Sequence, residues 1–365
     1  MGWLSGFLFS AAGCLILTAP IAVQQHGASY FRPDLCSHTI PFTGLVQEKW
    51  TPAGWRYGLK LVLDDYSTGL SGLECLFRAG EVARAVKASL PGLVSPGMRL
   101  VDLAEKVEGL IRERGCRPAF PCNISIDGVA AHYSPPPGDP STLPRNSVVK
   151  LDFGVVVDGY IADTALTITD TSWGEVLKQA VEESLKAALK VVEAGVRVSE
   201  VGAAVYSTLM KYGVKPIRNL TGHEIQRYNL HAGVSIPNIP VGDGAKLQEG
   251  HVYAIEPFAT LPDGAGEVTD KQPATIYRLD PVRPRQKLAE AEQALVKTLE
   301  KRFEGLPYSL RWLKDMGEDA IGLHQKLVKQ GGVKAYPMLV EKTGKPVAQA
   351  EHTVLVEKGG CVVIT

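Results

Sequence analysis

Apolar residues at Val176, Leu177, Ala180, Val181, Leu185 and Ala188 fall at the spacing of one buried face of an α-helix. Ser172-Trp173-Gly174-Glu175 just ahead of them has the form of a capping box, so a helix is predicted over 172–193. Similar periodicity predicts helices over 73–90, 99–114 and 199–212, and a charged amphipathic helix over 284–303. Two further helical stretches, 310–314 and 320–330, stop at Gly331-Gly332. Short apolar runs rich in β-branched residues predict strands up to Thr169, around His223, His231 and Glu256, and from Glu351 into a last hairpin at Gly359-Gly360. The chain is therefore of the α/β (α+β) class.

One predicted hairpin gathers carboxylates. Asp158-Gly159, between Val155-Val156-Val157 and Tyr160-Ile161, is a type I′ turn signal. Folding about it sets Val157 against Tyr160, Val156 against Ile161 and Gly154 against Asp163, which leaves Asp163 diagonal to Asp152 on one face. Gly154 leaves room for a guest there. Two carboxylates in an apolar hairpin repel each other, and one takes a proton unless a cation neutralises both. The pair predicts a metal site. His223, Glu256 and Glu351, each at the edge of an apolar strand, are further candidate ligands. Singly, a strand-end carboxylate is ordinarily a turn or surface residue. Together, four carboxylates and one imidazole form an oxygen-rich set suited to paired Mn, Fe, Co or Zn ions rather than to a thiolate zinc site.

An internal repeat adds a second line of argument. Residues 97–118 match 195–216 without a gap, with Gly97, Arg99, Gly115 and Pro118 corresponding to Gly195, Arg197, Gly213 and Pro216. Each copy reads as one amphipathic helix closed by a glycine. Each is followed by an extended segment, a histidine (His132 or His231) and a strand carrying a carboxylate, Asp152 or Glu256. Such a duplication predicts two halves about a pseudo-two-fold axis, with a cleft between them.

From Leu73 to the C-terminus the chain resembles the type II methionine aminopeptidases, the archaeal branch most of all. The resemblance rests on Pro118-Ala119-Phe120-Pro121 with Asn123-Ile124-Ser125, on Ala130-Ala131-His132-Tyr133, and on the aspartate hairpin. It continues in Pro216-Ile217-Arg218-Asn219-Leu220-Thr221-Gly222-His223, Leu230-His231-Ala232-Gly233, Tyr253-Ala254-Ile255-Glu256 and Glu351-His352-Thr353. The longer stretch between Glu256 and Glu351 is what is similar to type II rather than type I. The resemblance implies a pseudo-two-fold symmetric pita-bread (creatinase/aminopeptidase) fold over 68–280 and 341–365, with an inserted helical, winged-helix-like subdomain over 281–340. Residues 1–67 have no counterpart in the family.

The resemblance also implies roles. Asp152 would hold one divalent ion, His223 and Glu256 a second, and Asp163 and Glu351 would bridge the two, the metals being Co, Mn, Fe or Zn. His132 and His231 would contact substrate, stabilise the tetrahedral intermediate and move protons, as an imidazole suits. Glu351 resembles the general base. Phe120 and Leu230 match a pocket for the methionine thioether, and Tyr336 would reach the rim. The implied substrate is the N-terminal methionine of a nascent peptide with a small second residue. A cytoplasmic monomer that touches the ribosome transiently, without specific nucleic-acid binding, completes the expectation. The rivals are a proline dipeptidase or aminopeptidase P on the same fold, and a non-enzymatic pita-bread protein that binds RNA or ribosomes. The Asn-Leu-Thr-Gly-His and Leu-His-Ala-Gly motifs favour the methionine enzyme over the first, and the complete ligand set argues against the second.

Composition adjusts this picture little. The 365 residues carry a formal charge of zero, so no global field recruits nucleic acid or an anionic membrane. Cys14, Cys36, Cys75, Cys116, Cys122 and Cys361 lack Cys-x-x-Cys spacing and read as reduced, mostly buried thiols. No phosphate-binding glycine loop and no serine or cysteine nucleophile motif is found. Residues 3–23 are apolar, in the manner of a signal peptide or membrane anchor, but no basic segment precedes them to set orientation. The competing reading is a start upstream of the true one.

Overall fold

The computed structural model describes residues 23–25, 28–30, 45–51, 54–60, 70–242, 244–280 and 288–365. The apolar run expected over 3–23 lies outside these except for Val23. Residues 1–47 and 58–65 form one unit, in which β1 (Val23–Gln25) pairs antiparallel with β2 (Ala28–Tyr30). The second unit takes residues 48–57 and 66–365, and reaches into β3 (Leu45–Thr51) and β4 (Gly54–Lys60).

Ser71 opens the first helix. Its hydroxyl accepts from Glu74 N at 3.4 Å while its own N–H donates to the Glu74 carboxylate at 2.6 Å, satisfying two otherwise orphaned donors of α1 (Gly72–Ser89). α1 buries Cys75, Leu76, Ala79, Val82, Ala83 and Val86 at helical spacing. α2 (Leu100–Glu113) follows, then β5 (Arg117–Pro118), β6 (Asn123–Ile126) and β7 (Val129–Ala131). The hairpin β8 (Val148–Val157) and β9 (Tyr160–Thr169) completes the first half.

The second half repeats the plan. α3 (Ser172–Leu189) is capped by Thr171, whose hydroxyl accepts from Gly174 N at 3.0 Å, so the capping box expected at Ser172 does not form. A Cβ at Gly174 would collide with Thr169 and Thr171, so the third helical position has to be glycine and no glutamate can stand there. The helix also stops short of residue 193: it ends at Leu189, where Val191 N turns back to Ala188 O at 3.0 Å. Val176, expected on the buried face, is exposed. α4 (Val198–Lys211) leads into β10 (Lys215–Pro216), β11 (Thr221–Gln226), β12 (Asn229–Pro237), β13 (Val252–Ile255), β14 (Phe258–Thr260) and β15 (Val268–Leu279).

The duplication seen in the sequence holds in detail. Before α2, Gly97 N donates to Leu143 O and Leu143 N to Met98 O. Before α4, Gly195 N donates to Leu247 O and Leu247 N to Val196 O, and all four bonds are 2.8 Å long. Gly97 and Gly195 both need a left-handed backbone, with φ of 87° and 91°.

The chain then forms α5 (Glu290–Phe303), a 3₁₀ turn Leu310–Met316 and α6 (Gly317–Gln330), packed on a small core of Leu295, Leu299, Phe303, Tyr308, Leu313 and Leu327. α5 begins at Glu290 rather than 284, with Ala289 N donating to Glu292, and residues 281–287 lie outside the described ones. β16 (Val333–Glu341) returns to pair with both β15 and β7. β17 (Val347–Gln349), β18 (Glu351–Glu357) and β19 (Gly360–Val363) end the fold. β18 is the seam. It pairs with β13 of the second half and, through Glu351↔Ala165 and His352↔Thr164, with β9 of the first, so one antiparallel sheet runs across both halves.

Candidate metal centre

Asp158 and Gly159 have φ of 46° and 83°, as a type I′ turn requires, and the register they impose sets Gly154 opposite Asp163 and Asp152 opposite Ala165. The space over Gly154 is taken by the Phe120 ring, so the expected guest is this wall of the cleft. Asp163 is fixed through its backbone: its N–H donates to Thr353 Oγ1 at 2.8 Å, and its carbonyl accepts from Thr353 Oγ1 at 2.8 Å and Thr365 Oγ1 at 3.2 Å. β11 aligns His223 with Ala254 of β13, and Ala254 with Thr353 of β18, which brings His223, Glu256 and Glu351 to one end of neighbouring strands.

All the residues singled out in the sequence line a single cleft of about 190 Å³: Asp152, Asp163, His223, Glu256 and Glu351, with His132, His231, Phe120, Leu230 and Tyr336. That volume is well over ten times the roughly 10–15 Å³ that one water needs. Ligand atoms of Asp163, His223 and Glu351 lie within 4.8 Å of one another. His223 Nε2 stands 3.6 Å from both Asp163 Oδ2 and Glu256 Oε1. This is too long for hydrogen bonds and suits groups that share an ion bound at roughly 2.0–2.2 Å. Asp163 Oδ1, Glu351 Oε2 and His223 Nδ1 are buried without a hydrogen-bond partner. Buried, unsatisfied, mutually facing oxygens are what a divalent cation compensates, so the residues fit the group.

The electrostatics agree. Burial, then the neighbouring carboxylates, push Asp163, Glu256 and Glu351 well above the ordinary carboxylate range, and burial lifts Asp152 to about 7 against a hydrogen bond from Gln349. Burial draws His132 and His223 down to about 4, and burial with the nearby His223 and His132 draws His231 well down, so all three rings are neutral at pH 7. His231 presents its ring to the cleft 4.3 Å from that of His223. His132 has a left-handed backbone, φ 64°, and meets the Tyr336 ring edge-on at 5.9 Å.

Several contributors were not foreseen. Gln349 donates to Glu256 Oε2 at 3.3 Å, and its place two residues before Glu351 was the only local signal. Lys87 of α1 donates to the Glu351 carbonyl at 2.9 Å and to Thr164 Oγ1 at 2.7 Å, and nothing near it in sequence marks it. Cys75, Cys116, Cys122 and Cys361 are buried free thiols, and Cys14 and Cys36 lie outside the described residues. Among the described residues no helix is long and apolar enough to cross a membrane.

A duplicated α/β framework holding carboxylates and imidazoles in one cleft defines a metal-dependent hydrolase. The chain belongs to metallopeptidase family M24, whose profile matches residues 74–358. A methionine aminopeptidase of Thermococcus onnurineus is 46% identical over 296 residues, covering 80% of this chain and 99% of that one. Among solved structures, a thermophilic Arx1 superposes with a TM-score of 0.71 at 18% identity, over 81% of this chain and 91% of that one. A methionine aminopeptidase from Thermotoga maritima gives 0.59 at 21% identity, over 82% and 98%. These structural likenesses establish the pita-bread fold, and family membership brings with it a divalent metal and peptide hydrolysis.

Proposed function

We propose that this chain removes the initiator methionine from nascent proteins whose second residue is small, as a cytoplasmic monomer of the type II branch. The observation that carries the reading is the convergence of Asp152, Asp163, His223, Glu256 and Glu351 with His132 and His231 in one cleft, in a chain close to proteins named methionine aminopeptidase.

Asp152, Asp163, His223, Glu256 and Glu351 would hold two divalent ions, which supply Lewis acidity toward water and the first peptide carbonyl. Glu351 accepts the proton of the attacking water. Burial and the neighbouring carboxylates raise its pKa, a shift that bound cations would oppose. His231 and His132, neutral at pH 7, present ring nitrogens that donate to the carbonyl oxygen as charge develops on it. Phe120 and Leu230 pack against the thioether, and Tyr336 closes the rim beside His132. Residues 68–280 and 341–365 form the catalytic domain, 281–340 the helical insert, and contact with the ribosome is transient.

The test is mass spectrometry of peptides incubated with Mn- or Co-loaded enzyme. Met-Ala, Met-Gly, Met-Ser and Met-Pro peptides lose only methionine, whereas Met-Leu and Met-Lys are poor. Crowding after the scissile bond misplaces the carbonyl, and about 1 Å of displacement can cost on the order of 10² in rate. Cleavage of Ala-Pro or Leu-Pro with Met-Ala untouched would transfer the assignment to the proline peptidases, and no cleavage with any metal would favour a binding protein.

A further inference from the structure

Among the described residues outside the metal cleft, one fully buried charge pair joins the helical insert to the first half of the molecule. Glu108 of α2 and Arg311 of the 3₁₀ turn both have side chains only 1% exposed. Arg311 Nη2 and Nη1 donate to the two Glu108 oxygens at 2.6 and 3.1 Å. Trp312 Nε1 adds a third bond to this carboxylate at 2.7 Å.

What the pair holds beyond itself is informative. Glu108 also accepts from Cys122 N at 3.2 Å, two residues after Phe120 of the cleft wall. Arg311 gives two further donors to Pro135 O at 2.8 Å and Ser134 Oγ at 3.1 Å, in the segment that follows His132. That segment starts from a left-handed backbone at His132, a conformation that persists only where the surroundings hold it. A buried ion pair contributes little net stability against apolar side chains of similar volume, so its value lies in geometry. An arginine fork fixes direction as well as distance.

We propose that Arg311, paired with Glu108, is a positioning residue for the reaction. Through it the insert sets where His132 and the Phe120 wall stand in the cleft. The inference rests on the function proposed above. It makes the insert a working part of the active site while leaving the metal ligands to the sheet.

The experiment compares Arg311→Lys, Arg311→Met and the double variant Glu108→Met/Arg311→Met, which removes both charges at similar volume so that the chain still folds. Metal content of the double variant stays near wild type and its melting temperature falls less than that of Arg311→Met, which strands a buried carboxylate, yet kcat on a Met-Ala peptide falls by about tenfold or more, as misplacement of a reacting group predicts. Arg311→Lys recovers only part of it. In a His132→Ala background the same Arg311→Met change lowers kcat less than it does in the wild type, since the part that acts through His132 is already lost. The imidazole NMR signals of His132 in the wild type and in Arg311→Met supply a readout independent of turnover. They shift, while those of His251, which pairs with Glu224 at 2.8 Å and does not line the cleft, do not. Unmoved His132 signals overturn the proposal, as does an additive cycle or full kcat in the double variant. A wild type that cleaves no methionine peptide strikes at the proposed function alone, because the NMR comparison still decides the positioning role.

Discussion

Gly154 and Phe120 are fitted to one another: a Cβ on Gly154 would lie 2.5 Å from Phe120 Cε1. Gly154 sits opposite Asp163 in the hairpin, so the residue that gives the ring its place also borders a proposed metal ligand. Its backbone has no left-handed φ, so space alone excludes a side chain.

Gly154→Ala therefore forces the ring out of its seat. Overpacking of this kind destabilises by about 1–3 kcal/mol. The expected result is a lower melting temperature and a raised KM for Met-Ala peptides, with metal content intact because no ligand is touched. Unchanged KM and stability would show that Phe120 has other room.

The histidines divide by role. His223→Ala loses metal, since its Nε2 lies 3.6 Å from the Asp163 and Glu256 carboxylates. His231→Ala keeps metal and loses roughly 10²-fold in kcat, the scale of general acid–base contributions. Metal analysis beside steady-state kinetics separates them, and identical behaviour of the two variants would contradict the division.

Metal affinity rises with pH between 6 and 8. Asp163, Glu256 and Glu351 have pKa values raised well above the usual range and Asp152 is near 7, so the metal-free cluster carries shared protons at neutral pH. An incoming dication displaces them, which weakens binding as pH falls. His223, drawn down to about 4, releases none in this window. Calorimetry in two buffers of different ionisation heat measures the protons released, and a pH-independent, proton-neutral binding would refute the coupling.

A chain beginning at Gly69 keeps its metal and its activity, because the site residues run from Phe120 to Glu351. It gives up Lys49 as a partner of Val362, so a modestly lower melting temperature is expected by circular dichroism. An inactive truncation would show that the N-terminal region serves the site.

The sequence by itself determined the β8–β9 hairpin down to the pairing of Gly154 with Asp163, because an Asp-Gly turn and a two-residue side-chain period leave one register. It determined the duplicated helices and turns of 97–118 and 195–216 for the same reason, since glycine and proline constrain the backbone where they stand. It also determined the kinds of ligand available. Only the tertiary structure decided that they meet. Asp163 is secured by Thr353 and Thr365, and Glu351 by Thr164 and Lys87, across separations in the chain that no periodicity reports. It likewise decided that Thr171 rather than Ser172 caps α3 and that Val176 faces outward, because several polar groups compete for one helix end and a helix face is buried only where a partner covers it. The Phe120 ring over Gly154 and the Arg311–Glu108 pair belong to the same category: each joins segments whose proximity is set by how the sheets and the insert pack.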